Sequence, residues 1–533
     1  MFDKLILSYD VGTTYLKTGL LDTKFNILGV KLEKYPVYFP KKGYAEQDPL
    51  DWWKAVVKTT NQLIEERNVD TSKISAIIFA GQALSTVLIN RNGEPLMRSM
   101  IWMDSRAAPQ AKRIIGRGLL KISGYNLFSM MRFIRITGGG PGLAGKDLIP
   151  RILWIKENLP DIYRETYKIL DSNGFLIYKA TGKTVISRFD ANLTWLMDTR
   201  PGKYKWSKTL LKEYDIDREK LPEIKLSTEV AGKLCKEASD ELNLPEGIPV
   251  IVGAGDLASA AVGSGAVKEG EYFIYIGTSD FFGTHTKKRK VDVFHYMGSL
   301  CSAIPDMYLY TGEQETAGTC LDWVKNQMFK KESETLGNKI YDFLDEVASK
   351  IPPGSQGLIF TPWLSGEKTP IDDDTIRGGF HNLSLEHTRE HAVRAVMEGV
   401  AFNIRWAFMH MEKRVGKAKW INFVGGGALS RTWCQIVADV LKREIRQVEN
   451  PRETGIRGAA MMATVALGIY KNFLMAAKQI RIANVFKPKS ENIKMYESVF
   501  SEFIKLYKHN KKIHRDLNLK IVRGRLKRAM IKG

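Results

Sequence analysis

The chain has 533 residues, 44% of them hydrophobic and 26% charged, a balance that excludes whole-chain disorder and a length that calls for more than one core. No apolar run approaches the roughly eighteen residues of a membrane helix, the four cysteines (Cys235, Cys301, Cys320, Cys434) lack the CxxC spacing of a zinc site or a disulfide framework, and the charged start KLILSYD lacks a signal-peptide pattern, so a cytoplasmic protein is expected. The net charge of +21 is concentrated beyond Lys505, where Lys and Arg face one acid, Asp516; no aromatic residues interleave the final basic cluster, which favours a solvated helix with a frayed basic end over a nucleic-acid or membrane-surface tail.

LILSYDV, LKTGLLD and ILGVKLEKYPV predict an opening meander of strands separated by Gly, Thr and Asn turns. Asp48 as cap and Pro49 in the first turn predict a helix over PLDWWKAVVKTTNQLIEER. ISAIIFAGQ reads as a buried strand, and STVLINRNGEPL as a hairpin bent at Asn92-Gly93. GPGLAGKD, residues 140–147, approximates a phosphate-binding loop, with FIRIT before it as a strand and LIPRILWIKENL after it as a helix. A true loop of that kind needs Ser or Thr after the lysine to ligate magnesium, and Asp147 stands there, so the phosphates are expected elsewhere.

Near residue 250 the pattern restarts. IPVIVGAGD is a buried strand, LASAAVGSGAV a small-residue helix, and EYFIYIGTSDFFGTHT a hairpin with Gly-Thr-Ser at its bend. Further on, Val393, Val396, Met397, Val400 and Ile404 share one face of a long helix, and KWINFVGGGALSRTWCQIVADVLKR gives strand, glycine loop and helix. Alternating strands and helices make the class α/β, and two halves with matching hairpins predict a duplicated architecture with a cleft between them.

Three stretches carry residues suited to phosphate. In DVGTTYLKTGLLD, Asp10 ends a strand, Gly12 permits a tight turn, Thr13 and Thr14 bring hydroxyls and amides to the bend, and Lys17 adds positive charge. Amides and hydroxyls donate to phosphate oxygens, while the carboxylate can hold magnesium directly or through water. YIGTSDFFGT offers the same set from the other half through Gly277, Thr278 and Ser279. Between them, GAGDLASAA puts Asp256 at the end of a strand and the head of a helix, where it can cap the helix, take a proton from an attacking hydroxyl, or do both. FVGGGALSRTW supplies Gly425, Gly426 and Gly427 for close approach to an adenine or ribose, without the GxGxxG order of a dinucleotide fold.

The segments SYDVGTT, YAEQDPLDWW, AGQ, IWMDSRA, GAGDLASAAVGSG, YIGTSD, FTPWLSGEKTP, RGGF and FVGGGALSRTWCQIVADVL, in this order through most of the chain, resemble the FGGY family of carbohydrate kinases, and within it the xylulokinase-like branch. The resemblance implies two actin-like ATPase (ribonuclease H-like) domains around a central cleft. Residues 1–252 would bind sugar and 253–475 ATP, with 476–533 a basic C-terminal helical extension. It implies ATP and Mg2+ as cofactors, Asp256 as general base and Asp10 as the magnesium-associated aspartate. Thr13, Thr14, Gly277, Thr278 and Ser279 match the phosphate hairpins; Gly318, Gly427 and Ala428 match the adenosine site; Gln82, Trp102, Asp104 and Arg106 match the sugar side. GPGLAGKD becomes a loop of the sugar-side domain.

The implied activity is phosphorylation of a small sugar, first of all a pentulose such as D-xylulose, with ribulose, glycerol or another polyol as alternatives and a non-catalytic sugar sensor as the rival from another class. No nucleic-acid or membrane partner is implied, and pairing into a homodimer is left open. Three departures bear on substrate. GQALST stands where xylulokinases read Gly-Gln-Met-His-Gly, so Leu84 replaces the histidine that touches the ketose and offers a sugar hydroxyl no hydrogen bond. WMDSRA differs from the usual Trp-Asn-Asp. Asp280 follows GTS where the family has a small residue, and repulsion from phosphate requires its carboxylate to point away or to meet a cation.

Overall fold

The computed structural model describes residues 4–116, 120–122 and 124–531. Among these residues the chain builds two large sheets. The first runs in the order Val230–Lys233, Pro249–Ile251, Ile74–Gly81, Leu5–Val11, Tyr15–Asp22, Ile27–Lys34; the second runs Val291–Asp292, Met297–Cys301, Tyr308–Gln314, Asp280–Thr286, Tyr272–Ile276, Trp420–Val424, Glu444–Val448, Ile482–Phe486. Both follow one plan. Leu5–Val11 pairs antiparallel with Tyr15–Asp22 and parallel with Ile74–Gly81; Tyr272–Ile276 pairs antiparallel with Asp280–Thr286 and parallel with Trp420–Val424. Each sheet thus turns back through a short hairpin beside a buried parallel strand, which sets the two Gly-Thr bends at equivalent places.

The helix Pro49–Arg67 starts where Asp48 accepts from Leu50 N–H and covers the first sheet with Trp52, Trp53, Val56 and Leu63. Between the sheets, helix Asp256–Gly263 crosses helix Thr454–Ala466 at Gly263 and Gly458. A β-carbon at either glycine would overlap the other helix's backbone, at Thr454 O and Ser259 O. The two helices share one apolar core with Ile6, Ile78 and Ile251 of the first sheet and Phe273 and Leu309 of the second, so the cleft has a packed floor.

Several expectations are corrected. FIRIT is the end of helix Leu127–Thr137, capped by Asn126 and closed by Gly138 at φ 87°; a five-residue apolar run fits either periodicity, and the flanking cap and glycine decide it. Gly93 does turn the chain, at φ 82°, but Val87–Ile89 pairs with Lys168–Leu170, and only an Ile89–Pro95 bridge marks a return strand. The expected helical extension, residues 476–533, holds a strand as well as a helix. Ile482–Phe486 is the edge strand of the second sheet, and helix Ser490–Ile531 buries Tyr496, Phe500, Phe503 and Tyr507 in that domain's core; the end of the expected basic tail, residues 532–533, lies outside the described residues. None of the helices among the described residues is long and apolar enough to cross a membrane.

Candidate active site

The first hairpin sets Asp10 one residue before the end of its strand. Burial raises its pKa above the ordinary carboxylate range, opposed by the nearby charge of Lys17. The bend is tied by Gly12 N–H to Tyr15 O at 3.2 Å and by Gln47 Nε2 donating to Thr13 O at 2.7 Å, which leaves Thr14 exposed at the tip. Lys17, expected at the phosphates, is otherwise engaged: its Nζ donates to Arg452 O at 2.5 Å and lies 4.0 Å from Glu453. Its partners belong to the turn before helix Thr454–Ala466, so it fastens the hairpin to that turn.

Asp256 is the first residue of its helix, with Gly255 rather than Asp256 at the cap position. Its Oδ1 accepts from its neighbour Leu257 N–H at 2.8 Å, and the Ala83 N–H of the sugar-side loop also favours its charged form. Burial, then the negative charge of Asp10, outweigh these donors and push the Asp256 carboxyl up to about 7. Two carboxylates, one from a strand and one from the head of a helix, therefore share one half-buried space, and one of them is poised to exchange protons near neutrality. Tyr275, near the end of the strand leading into the second hairpin, is half-buried beside Asp10, Asp256 and Tyr15. The two bends thus converge on one site.

On the second hairpin, Gly277 N–H donates to Ser279 O at 2.9 Å, and Thr278 and Ser279 are exposed. The start of helix Gly318–Met328 docks directly on this bend. Gly318 N–H donates to Gly277 O at 2.9 Å, and Ala317 and Thr319 N–H donate to Thr278 O at 3.1 Å each. Gly427 packs on Ile276, where a β-carbon would come 2.7 Å from Ile276 Cγ2, and Ala428 beside it is buried. Gly277, Gly318, Gly427 and Ala428 therefore gather at the end of one strand. Asp280 points inward, 1% exposed, away from the exposed tip. Among the described residues it meets no cation and neither carboxylate oxygen has a hydrogen-bond partner, and burial, then Glu367 and Glu313, raise its pKa well above the ordinary range.

The sugar-side residues divide. Gln82 donates to Gln47 Oε1 at 2.6 Å, joining its loop to the first hairpin, while its own Oε1 is buried without a partner. Trp102 is 40% exposed and donates from Nε1 to Thr13 Oγ1 at 2.9 Å. Asp104 and Arg106 face inward instead: Asp104 is fully buried, and Arg106 binds both its oxygens and Glu46 while lying 3.7 Å from the Tyr44 ring centroid. They shape the loop that carries Trp102.

The sequence reading missed three further residues. Gly455 opens helix Thr454–Ala466 against Asp10, where a β-carbon would overlap Oδ2. Arg151, fully buried, donates to the carbonyls of Leu84, Met100, Ile101 and Asp104 and to Thr86 Oγ1, so it stitches the Gln82 loop to the Trp102 loop; an arginine inside the apolar run LIPRILW was its only signal. Tyr275 carries none. Leu84 holds a left-handed backbone, φ 55°.

The arrangement suits phosphoryl transfer to an alcohol. Two bends offer amides and hydroxyls to a polyphosphate, and a carboxylate near neutral pKa stands between them. Among the described residues no group of three or more His, Cys, Asp or Glu could hold a metal alone. That fits Mg2+, which is bound through one or two carboxylates and completes its shell with phosphate oxygens and water, and Asp10 has the open carboxylate for it. Residues 5–263 match the FGGY family of carbohydrate kinases, N-terminal domain, and residues 272–467 its C-terminal domain. The chain is 29% identical to a xylulose kinase of Staphylococcus epidermidis over 521 residues, 97% of this chain and 99% of that one. It is 26% identical to a gluconokinase of Bacillus subtilis over 506 residues, 94% and 95% of the two. A ligand-bound xylulose kinase from Lactobacillus acidophilus superposes with a TM-score of 0.84 at 26% identity, over 95% of this chain and 98% of that one. With both domain models matched in order and the same two-domain fold, the chain belongs to the FGGY family of carbohydrate kinases and is a sugar phosphotransferase.

Proposed function

We propose that the protein transfers the γ-phosphoryl group of ATP to a hydroxyl of a small open-chain sugar, with Asp256 as general base. The observation that carries this reading is the half-buried Asp256 carboxyl, titrating at about 7 beside Asp10 at the convergence of the two bends. As the acceptor oxygen bonds to the γ-phosphorus, its proton passes to Asp256; the bond from that phosphorus to the bridging oxygen breaks and ADP leaves. Thr13, Thr14, Thr278 and Ser279, with the backbone amides of their bends, would hold the phosphates in line. Mg2+, when bound with ATP, would lie against Asp10 and offset phosphate charge. Gln82 Oε1 would accept from a sugar hydroxyl, and Trp102 would cover the carbon chain. Closure of the domains over the floor formed by the two crossing helices would exclude water.

D-Xylulose is the first acceptor to test, since a xylulose kinase is among the relatives with near-complete coverage. The test is ADP release over a panel of ketoses, aldoses, polyols and sugar acids with wild type and Asp256→Asn. Turnover that Asp256→Asn lowers by roughly 10²–10⁴-fold with ATP binding retained supports the reading. Ligand-induced closure without ADP release from any acceptor would instead indicate a sugar sensor.

A further inference from the structure

The GPGLAGKD stretch brings a charge into the cleft. Gly142 N–H donates to Asp147 Oδ2 at 2.8 Å and Gly145 takes a φ of 71°, so the loop folds on itself and carries Lys146 over the indole of Trp102, with Nζ 5.4 Å from the ring centroid. Trp102 is bonded to Thr13 of the first hairpin. The ammonium therefore stands between the sugar wall and the phosphate bends.

Lys146 is half-buried, and among the described residues it forms no ion pair and donates no hydrogen bond. The adjacent acid is already used, since Asp147 accepts from Gly142 and from Trp195 Nε1. Lys368, facing it from the second domain, is neutralised by Glu313 and Glu315, each at 3.3 Å. Burial and the like charge of Lys368 depress the Lys146 ammonium, while Glu315, Asp147 and Asp374 oppose this from beyond ion-pair distance. A half-buried ammonium without a counter-ion is an electrostatic cost that an arriving anion removes. The wall is correspondingly poor in donors for a neutral sugar: Leu84 offers none, and Gln82 spends its amide donor on Gln47 Oε1.

We propose that Lys146 is a specificity-determining residue that makes the cleft select acceptors bearing a carboxylate, that is sugar acids, over neutral ketoses and polyols of the same length. This rests on the kinase reading above. The ammonium makes a charge-assisted hydrogen bond to the carboxylate at one end of the acceptor, Trp102 lies along the carbon chain, and the hydroxyl to be phosphorylated meets Asp256 at the other end. The anions that compete for Lys146 are Glu315 and Asp374, which closure of the cleft would bring nearer.

The test compares D-gluconate with D-glucitol, which differ only by carboxylate against hydroxymethyl at one carbon, and with D-xylulose, using the full chain, Mg2+ and ATP. Wild type is expected to favour gluconate over glucitol at least 30-fold in kcat/KM. Lys146→Met should lower the gluconate value at least tenfold, chiefly through KM, and leave D-xylulose, glucitol and the KM for ATP within about threefold. Lys146→Arg should recover most of the preference. An equal loss on all acceptors, which a closure contact to Glu315 or Asp374 would produce, overturns the inference, as does a raised KM for ATP or a wild-type preference for D-xylulose that Lys146→Met leaves unchanged; in each case the kinase reading stands. No turnover of any acceptor by wild type that still binds ATP overturns the kinase reading itself, and this inference with it.

Discussion

Gly455 packs against the Asp10 carboxylate so closely that a β-carbon would overlap Oδ2. The contact joins the strand that carries Asp10, the aspartate proposed to face Mg2+, to the first turn of helix Thr454–Ala466, one of the two helices that floor the cleft. Gly455→Ala is expected to displace the carboxylate without disturbing the rest of the fold. A shift on the order of 1 Å in a catalytic group lowers turnover about 100-fold. Steady-state kinetics should show that loss together with a raised Mg2+ requirement, and circular dichroism should remain that of wild type.

The Asp256 carboxyl also sets a pH dependence. It accepts a proton only when ionised, and its pKa is pushed up to about 7, so activity is present above that pH and is lost as the pH falls through it. The profile of kcat/KM for the sugar should show an acid limb with an apparent pKa near 7, dropping about tenfold per unit below pH 6. An acid limb appearing only below pH 5 would mean that the base retains an ordinary carboxylate pKa and that the neighbouring Asp10 charge does not reach it.

The fold and the two glycine bends proposed to hold the phosphates were legible because their signals are local. GTT and GTSD each follow a nearly continuous buried strand, and a glycine at the bend is recognisable without knowing what it faces. Asp256 was legible for the same reason, at a strand end heading a small-residue helix. The sugar wall depends on tertiary direction, which spacing does not encode. Asp104 and Arg106 turn inward and bind one another, while Trp102, two residues before Asp104, turns outward. Lys17 carries the right charge at the right distance along the chain, yet a carbonyl supplied by Arg452, 435 residues on, takes its ammonium. Arg151 works only through five acceptors on two distant loops.

Those five acceptors make Arg151 the support of the sugar wall. Leu84 O, Met100 O, Ile101 O and Asp104 O are held by one guanidinium with Thr86 Oγ1, and each buried acceptor left unpaired costs about 1–3 kcal/mol. Arg151→Met should therefore destabilise the protein by roughly 3 kcal/mol or more in urea unfolding. At a temperature where the variant stays folded, the KM for the sugar should rise more than the KM for ATP, because the loosened loops carry Gln82 and Trp102 and not the second hairpin.

Asp280 is the residue whose removal should help stability. Its carboxyl is buried in the second sheet with no partner for either oxygen, facing Glu367 and Glu313, and its pKa is raised well above the ordinary range. A carboxyl raised in the folded state binds its proton more tightly there than in the unfolded chain. Its protonation favours the fold at pH values below the unfolded pKa of about 4, and that contribution is lost as the pH rises through the folded value. Asp280→Asn keeps the shape without the charge, and the new amide can donate to the unpartnered Oε1 of Gln314 on the paired strand. The variant should be more stable than wild type at pH 8, by about 1–3 kcal/mol, with the difference shrinking toward pH 4. Glu367, raised to about 7 by burial, tilts both proteins' stability with pH in the same direction, so the difference between them reads Asp280 together with its repulsion of Glu367. A variant less stable than wild type at pH 8 would mean that the carboxylate has a stabilising partner at that pH.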